Sequence, residues 1–294
     1  MIEKRKFYGL KNDYMFHAVL QKNEEVLRNL LATLLEMDEA DIVSCHIENP
    51  IELGKEIEGK ECILDVKLTL NNAKIINIEL QVYKQTYWVE RSLLYWARAF
   101  DSLKSGEDYS KLLPMYHIGI LDFTLFEEHP KFMGKYQLMD VEDQFLYSDK
   151  LCIKVLDLTQ LDAARRQANI NKKLVKWASI FKAETLEELE QLANGEEVFE
   201  KMVVTMKKLS EDEKIRMQCE AREDYERCLL SEFNAGKREG RAEGEEIGRA
   251  LGEEAGEKRG RAEGRSETLK ELVHNLMESQ HISEDKAKRL LKIR

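Results

Sequence analysis

An α/β fold, with a mixed sheet flanked by helices and a helical C-terminal extension, is what this sequence predicts. Three observations lead there. A β-hairpin pattern at 63–83 follows two helical stretches. Apolar, strand-like runs recur between 114 and 158. From 162 to 234 the periodicity is helical throughout. Strands interleaved with helical segments, and apolar enough to be covered, belong to a sheet with helices on its faces.

The elements follow in chain order. Asn12 or Asp13 caps a first helix whose apolar face is Met15, Phe16, Val19 and Leu20. A second helix runs over about 24–37, where Val26, Leu27, Leu30, Leu31, Leu34 and Leu35 recur at helical spacing. Residues 63–70 read as a strand, Asn71-Asn72-Ala73 as a turn and 74–83 as a second strand. The stretch 88–103 is helical, and 114–126 contains the apolar run of a buried strand. Two more β-rich runs centre on Tyr136-Gln137-Leu138 and on 152–156. A break near Asn194-Gly195 divides the helical remainder.

Every fourth residue from Gly236 to Gly264 is glycine, eight of the chain's 15. No globular domain needs such a stretch, so it divides the chain into a core at 1–160, a helical subdomain at 161–235, the repeat at 236–265 and a cap at 266–294. On a helix, a four-residue step drifts by about 40° per repeat. Glycine costs up to ~1 kcal/mol relative to alanine at each position, which makes an isolated helix doubtful. The intervening Arg, Ala, Glu, Leu and Lys favour one. The repeat is therefore either a helix whose glycine groove takes a partner or a solvated spacer. Its charge is balanced, eight basic residues against eight acidic, so it is no basic DNA-binding tail. In the cap, Leu269, Leu272, Val273, Leu276 and Met277 resume helical spacing, and Ser283-Glu284-Asp285 opens a last short helix. Repeat and cap are the candidate surfaces for a homo-oligomer.

Composition narrows the function. A hydrophobic content of 43% over 294 residues supports a sizeable core. No window approaches 18 uncharged apolar residues, so no membrane span is expected. The N-terminus lacks the apolar run of a signal peptide. Five scattered cysteines without a CxxC pair predict reduced thiols and a cytoplasmic setting. A net charge of −10 means that affinity for phosphate must come from a local basic patch or from a metal held by carboxylates. Walker A, GxSxG and HExxH patterns are absent.

Asp65 and Glu79 are the candidates for such a metal. They lie 14 residues apart on the two hairpin strands, nearly opposite each other if the turn is at Asn71-Asn72. Each interrupts an apolar strand, where a charge is costly without a partner. Two carboxylates, a backbone carbonyl and water suit Mg²⁺ or Mn²⁺, which can activate a water and neutralise a phosphate. Gln81 shares the face of Glu79 and can orient the attacking water. The alternative is that both acids are exposed members of an amphipathic sheet.

These residues carry a family likeness. Cys62-Ile63-Leu64-Asp65-Val66-Lys67, followed by Asn77-Ile78-Glu79-Leu80-Gln81, resembles the core of the PD-(D/E)XK nuclease superfamily, and more closely the Rpn family of recombination-promoting, transposase-like nucleases. Leu10-Lys11-Asn12-Asp13-Tyr14-Met15-Phe16, Arg91-Ser92-Leu93-Leu94-Tyr95-Trp96-Ala97-Arg98, and Gly106-Glu107-Asp108-Tyr109 with Pro114 and Ile118-Gly119-Ile120-Leu121-Asp122-Phe123 match the same pattern, as does the glycine-repeat tail. The likeness covers about residues 7–235. It implies a restriction-endonuclease-like core and Mg²⁺-dependent cleavage of DNA with little base specificity, in recombination or in processing of mobile-element or phage DNA. Position by position, Asp65 looks like the metal-binding aspartate, Glu79 like the second acidic ligand, and Gln81 occupies the superfamily's usual lysine position. A neutral amide supplies no charge to the transition state. Lys67, Lys84 and Lys60 are candidates to replace it, and the sequence does not choose.

Four further sites are weighed. Asp13 is either an N-cap, the simpler reading, or a third acidic contact near the metal. Arg91 is a phosphate grip or a surface arginine, with Tyr95 and Arg98 on the same helix face. From 165 to 182 there are six basic residues and no acid, with Arg165, Asn169, Lys172 and Lys176 as one stripe that either faces DNA backbone or is simply solvated. His117 sits in an apolar run and reads as a satisfied core residue. The rival to an enzyme is a non-catalytic interaction protein that keeps a nuclease fold and works through its helical tail.

Overall fold

The computed structural model describes residues 6–51, 53, 65–101, 103 and 105–292. They fall into two compact units, Met1–Arg227 and Cys228–Arg294. In the first, α1 (Asp13–Lys22) and α2 (Glu24–Leu35) precede β1 (Cys45–Ile47), β2 (Val66–Leu70) and β3 (Lys74–Gln81). Then come α3 (Trp88–Phe100), β4 (Met115–Leu121), β5 (Met133–Met139) and β6 (Leu146–Asp157). The helices α4 (Leu161–Arg165), α5 (Lys172–Lys182), α6 (Leu186–Ala193) and α7 (Glu197–Glu211) follow. Helix α8 (Glu213–Gln280) begins in the first unit, and α9 (Glu284–Leu290) belongs to the second.

Among the described residues the strands form one mixed sheet in the order β1-β2-β3-β4-β6-β5. Strands β3, β4 and β6 run parallel; β1–β2, β2–β3 and β5–β6 are antiparallel pairs. The expected α/β architecture with a helix-flanked mixed sheet is the one observed. The hairpin turn spans the three residues Asn71, Asn72 and Ala73, with Asn71 and Asn72 both left-handed (φ 51° each), a conformation that Asn tolerates. Asn71 also accepts from the backbone N–H groups of Val43 and Ser44 (2.8 and 3.0 Å), which ties the segment before β1 to the turn. Strand β1 has no clear sequence signal: it is three residues long and half exposed.

Alternation gives the sheet two unlike faces. Val66, Leu68, Ile76, Ile78, Ile118 and Ile120 point to one side. There they join Phe16, Leu30, Trp177 and Phe199 from α1, α2, α5 and α7 in one core. The helices after residue 160 are thus part of the same packing as the first two. On the other face Trp88, at the start of α3, closes over Leu121, Phe123, Ile153 and Val155 in a smaller cluster. That face also carries Asn77, Glu79 and His117, all buried. Lys154, buried in β6, donates to the carbonyl of Leu34 and to Glu36 Oε1 (2.8 Å each), so its charge is neutralised while it caps α2.

Several boundaries differ from the expectation. The hairpin strands are shorter, starting at Val66 and ending at Gln81; residues 63 and 64 lie outside the described set. Helix α3 ends at Phe100. The basic stretch 165–182 is not one helix. It breaks after Arg165, and Asn171 starts α5 by accepting from the N–H groups of Lys173 and Leu174 (3.0 and 3.2 Å).

The glycine repeat is helical, lying within α8. A Cβ added at any of its eight glycines would meet nothing within 4 Å. Ion pairs of the i,i+4 kind, Arg241–Glu245 (2.8 Å), Lys258–Glu254 (2.6 Å) and Arg261–Glu257 (2.5 Å), support it. Each contributes about 0.3–0.5 kcal/mol, which does not offset eight glycines at up to ~1 kcal/mol each. Replacing Gly244, Gly248 and Gly252 together by alanine is therefore expected to stabilise the helix by ~2–3 kcal/mol. Hydrogen exchange across 236–264 should slow by more than tenfold; unchanged exchange would show that the helix is held by something other than its own propensity. In the second unit, Val273 and Ala287 are buried, and His281 makes the left-handed turn between α8 and α9.

Candidate functional site

The register of the hairpin builds the site. Val66 pairs with Ile78, so one residue further along the same ladder Asp65 falls opposite Glu79. Strand β2 runs against β3, so its first residues lie at the carboxyl ends of the parallel strands, where open α/β sheets bind ligands. The start of β2 is pinned by Asn49. Its amide donates to the Asp65 carbonyl (2.6 Å), and its Oδ1 accepts from the Lys67 N–H (2.9 Å). At the same end the Asp122 N–H donates to the Gln81 carbonyl (2.9 Å), and Asp122 pairs with Lys11 (2.6 Å).

Glu79 is fully buried. Its Oε1 lies 2.8 Å from Arg91 Nη2, and its Oε2 lies 3.3 Å from His117 Nε2. Arg91 comes from α3, one turn after Trp88. Trp88 is seated on Gly119, where an added Cβ would lie 2.3 Å from the indole. The missing side chain lets α3 approach β4, so that Arg91 and Tyr95 face the strand that carries Glu79. Arg91 also donates to Gln85 (2.7 Å) and stacks over the Tyr95 ring at 5.1 Å.

Asp65 is half-buried, and its carboxyl is pushed up to about 8. Burial is the main cause and the Glu79 charge the second; Arg91 and a hydrogen bond from Asn77 work in the opposite direction, and Asp13 adds to the rise. Asp65 and Glu79 thus lie beside one guanidinium, and ionising both is unfavourable without a further cation. Hard oxygen donors in that state fit a divalent cation. Among the described residues no three His, Cys, Asp or Glu side chains form a metal cage.

Asp13 is not the N-cap of α1. Asn12 is, accepting from the Met15 N–H (3.1 Å) while its amide donates to the Cys219 carbonyl (2.9 Å). Asp13 is buried and accepts a bidentate pair from Arg222 of α8, Nε to Oδ1 (3.1 Å) and Nη2 to Oδ2 (2.5 Å). Beside it, burial first and the Asp13 charge second push Glu226 up to about 7. Removing one partner of a charge-assisted pair leaves the other desolvated. Arg222→Ala is accordingly expected to cost about 2 kcal/mol. A urea-denaturation cycle with Asp13→Ala should show coupling above 0.5 kcal/mol, on the order seen for groups in direct contact; additive losses would mean that the pair does not contribute.

The lysines considered as substitutes for the missing motif lysine lie elsewhere. Lys67 pairs with Glu48 (2.8 Å), Lys84 pairs with Glu127 (2.8 Å), and Lys60 lies outside the described residues. Among the described residues, the side-chain cation paired with Glu79 is Arg91. Arg165 and Lys176 do not present one free stripe: Arg165 is paired with Asp162 (3.1 Å) and bonded to Ser179 (2.9 Å), and Lys176 is paired with Glu196 (2.6 Å). Lys172 is exposed. Sequence reasoning missed Asn77, His117, Arg222 and Glu226 as neighbours of the site. For Asn77 a signal exists, since 77, 79 and 81 form a polar period-two stripe in an apolar strand. Arg222 lies 209 residues from Asp13 and gives none.

The described residues thus form an α/β protein, a helix-flanked mixed sheet with paired carboxylates at the carboxyl ends of its central strands. The chain belongs to the PD-(D/E)XK nuclease family transposases: that family matches residues 10–233. No curated protein and no solved structure matches the chain. No described helix is long and apolar enough to cross a membrane.

Proposed function

We propose that this protein is a divalent-metal-dependent DNA endonuclease of low sequence specificity, acting in recombination or in processing of mobile-element or phage DNA. The observation that carries the reading is the pairing of Asp65 with Glu79 in a family of nucleases, where burial and the Glu79 charge disfavour an ionised Asp65 unless a cation joins them. Asp65 and Glu79 would hold Mg²⁺ or Mn²⁺. Bound there, the ion supplies an activated water and charge neutralisation at the phosphate. Gln81, at the end of β3, orients the water. Arg91 presents the nearest guanidinium and takes the electrostatic role that a neutral Gln81 leaves open. Lys67, Arg165, Lys172 and Lys176 are further phosphate contacts under this reading, and Asp13 is an accessory acid.

The test is nicking of supercoiled plasmid by the purified full chain in Mg²⁺ and in Mn²⁺, with chelator as control. Chelator-sensitive nicking is expected; cleavage no faster than buffer in both metals would sink the reading. One observation favours a non-catalytic nuclease-fold protein instead: Glu79 already has a charge partner in Arg91. Under that reading, calorimetric Mn²⁺ titration would show no binding that depends on Glu79. Self-association through the repeat and cap is also proposed, on the exposed apolar residues Ile247 and Leu251 along α8. Its check is the solution mass of the full chain against one ending at Ala235.

A further inference from the structure

Helix α3 meets the sheet along one narrow stripe. Trp88 and Ser92 are its buried residues. Trp88 sits over Gly119, and the Trp88 and Tyr95 rings lie 5.7 and 6.3 Å from the His117 ring. At about 100° per residue, positions 88, 92 and 95 point one way and positions 90, 94 and 97 the other. That second stripe is exposed, as is Arg98 beside it. It is not the polar face of an ordinary surface helix. Leu93 and Leu94 are 47% and 49% exposed, and the small Ala97 leaves room for a close approach.

The charges that frame these residues are Glu90 and Arg98, and neither has an ion pair among the described residues. Glu90 lies four residues before Leu94 and Arg98 four residues after it. On a helix the opposite charges therefore stand about 6 Å to either side of Leu94 along the axis. A helix laid antiparallel on its own copy, with the two-fold axis at Leu94, brings each Glu90 to Arg98 of the other copy. A symmetric contact needs a surface that is complementary to itself in this way. Sliding the copy by three residues sets Glu90 against Asp101 instead, so charge also fixes the register. A phosphate backbone would repel Glu90 and leave both leucines uncovered.

We infer that the outer stripe of α3 is an interface with a second copy of this chain. It is an isologous, antiparallel helix pair centred on Leu94, with Leu93, Leu94 and Ala97 as its apolar part and two Glu90–Arg98 pairs beside them. The contact depends neither on the glycine repeat nor on the nuclease reading. It lies on the back of the helix whose front places Trp88 on Gly119 and Arg91 beside Glu79.

Sedimentation velocity of the full chain over a concentration series tests it. The wild type is expected to dimerise. Glu90→Arg alone sets like charges against each other at both ends of the contact, and so does Arg98→Glu. Each variant alone should dimerise more weakly, on the order of tenfold. Mixed in equal amounts, the two variants carry only opposite charges across the contact and should recover wild-type association as a heterodimer. Antiparallel two-fold pairing of these positions predicts that recovery, and association through the repeat or cap does not. Circular dichroism checks that each variant is folded, as expected for exposed positions. A wild type that stays monomeric throughout the series would overturn the inference. So would a single variant that associates as the wild type does, or a mixture that fails to recover.

Discussion

Asp65→Ala is expected to abolish metal-dependent DNA nicking, lowering it by at least about a thousandfold while the protein remains folded. Under the proposed metal-dependent reading two carboxylates are too few to lose one, because removing a ligand would take away the ion that would both activate water and neutralise the phosphate, each an effect of several kcal/mol. The fold should tolerate the change. Asp65 is half-buried, and burial and the Glu79 charge hold its carboxyl up to about 8, so ionising it in the metal-free protein is unfavourable. Removing it should leave thermal stability equal to or above that of the wild type. The check is plasmid nicking in Mg²⁺ beside a melting curve. Equal nicking by the folded mutant would eliminate Asp65 as a ligand, and loss of activity together with loss of fold would assign it a structural part.

Gly119→Val is expected to damage both fold and site. The added Cβ would meet the Trp88 ring at 2.3 Å, a distance that only movement of the indole or of the strand relieves. Overpacking of this kind costs about 1–3 kcal/mol, and β4 lies at the centre of the sheet, where backbone cannot give way easily. Trp88 anchors the first turn of α3, so its displacement moves Arg91 from Glu79 and opens the cage around His117. The expected results are a melting temperature lower by several degrees, a red-shifted tryptophan emission, and loss of nicking in whatever protein remains folded. A mutant with wild-type melting and emission would show that Trp88 does not depend on the missing side chain.

Local chemistry explains what could be read in advance. The helices α1 and α2, the Asn-Asn turn and the buried β4 each rest on neighbours a few residues away, and each was legible as a pattern. The pairing of Asp65 with Glu79 was legible too, because a hairpin fixes its register at the turn. By contrast, β1 was not, since three half-exposed residues carry no pattern. The basic stretch 165–182 misled because composition suggested one stripe, while Asn171 competes as a cap and splits the helix. His117 was read as a satisfied core residue. It is buried, but its partners are Asn77 and Glu79 across the sheet, which its own strand does not reveal.

The sequence by itself determined the helix-flanked mixed sheet, the hairpin carboxylates and the periodic tail, because periodicity, turn chemistry and spacing are properties of contiguous chain. Only the tertiary structure decided which cation meets Glu79, that Arg222 engages Asp13, and that Lys67, Lys84, Arg165 and Lys176 are engaged elsewhere. The reason is that charge pairing acts through space. Arg91 reaches Glu79 because Gly119 leaves room for Trp88, and Arg222 reaches Asp13 because α8 returns to the start of α1. Neither approach is written in the residues beside the acids themselves.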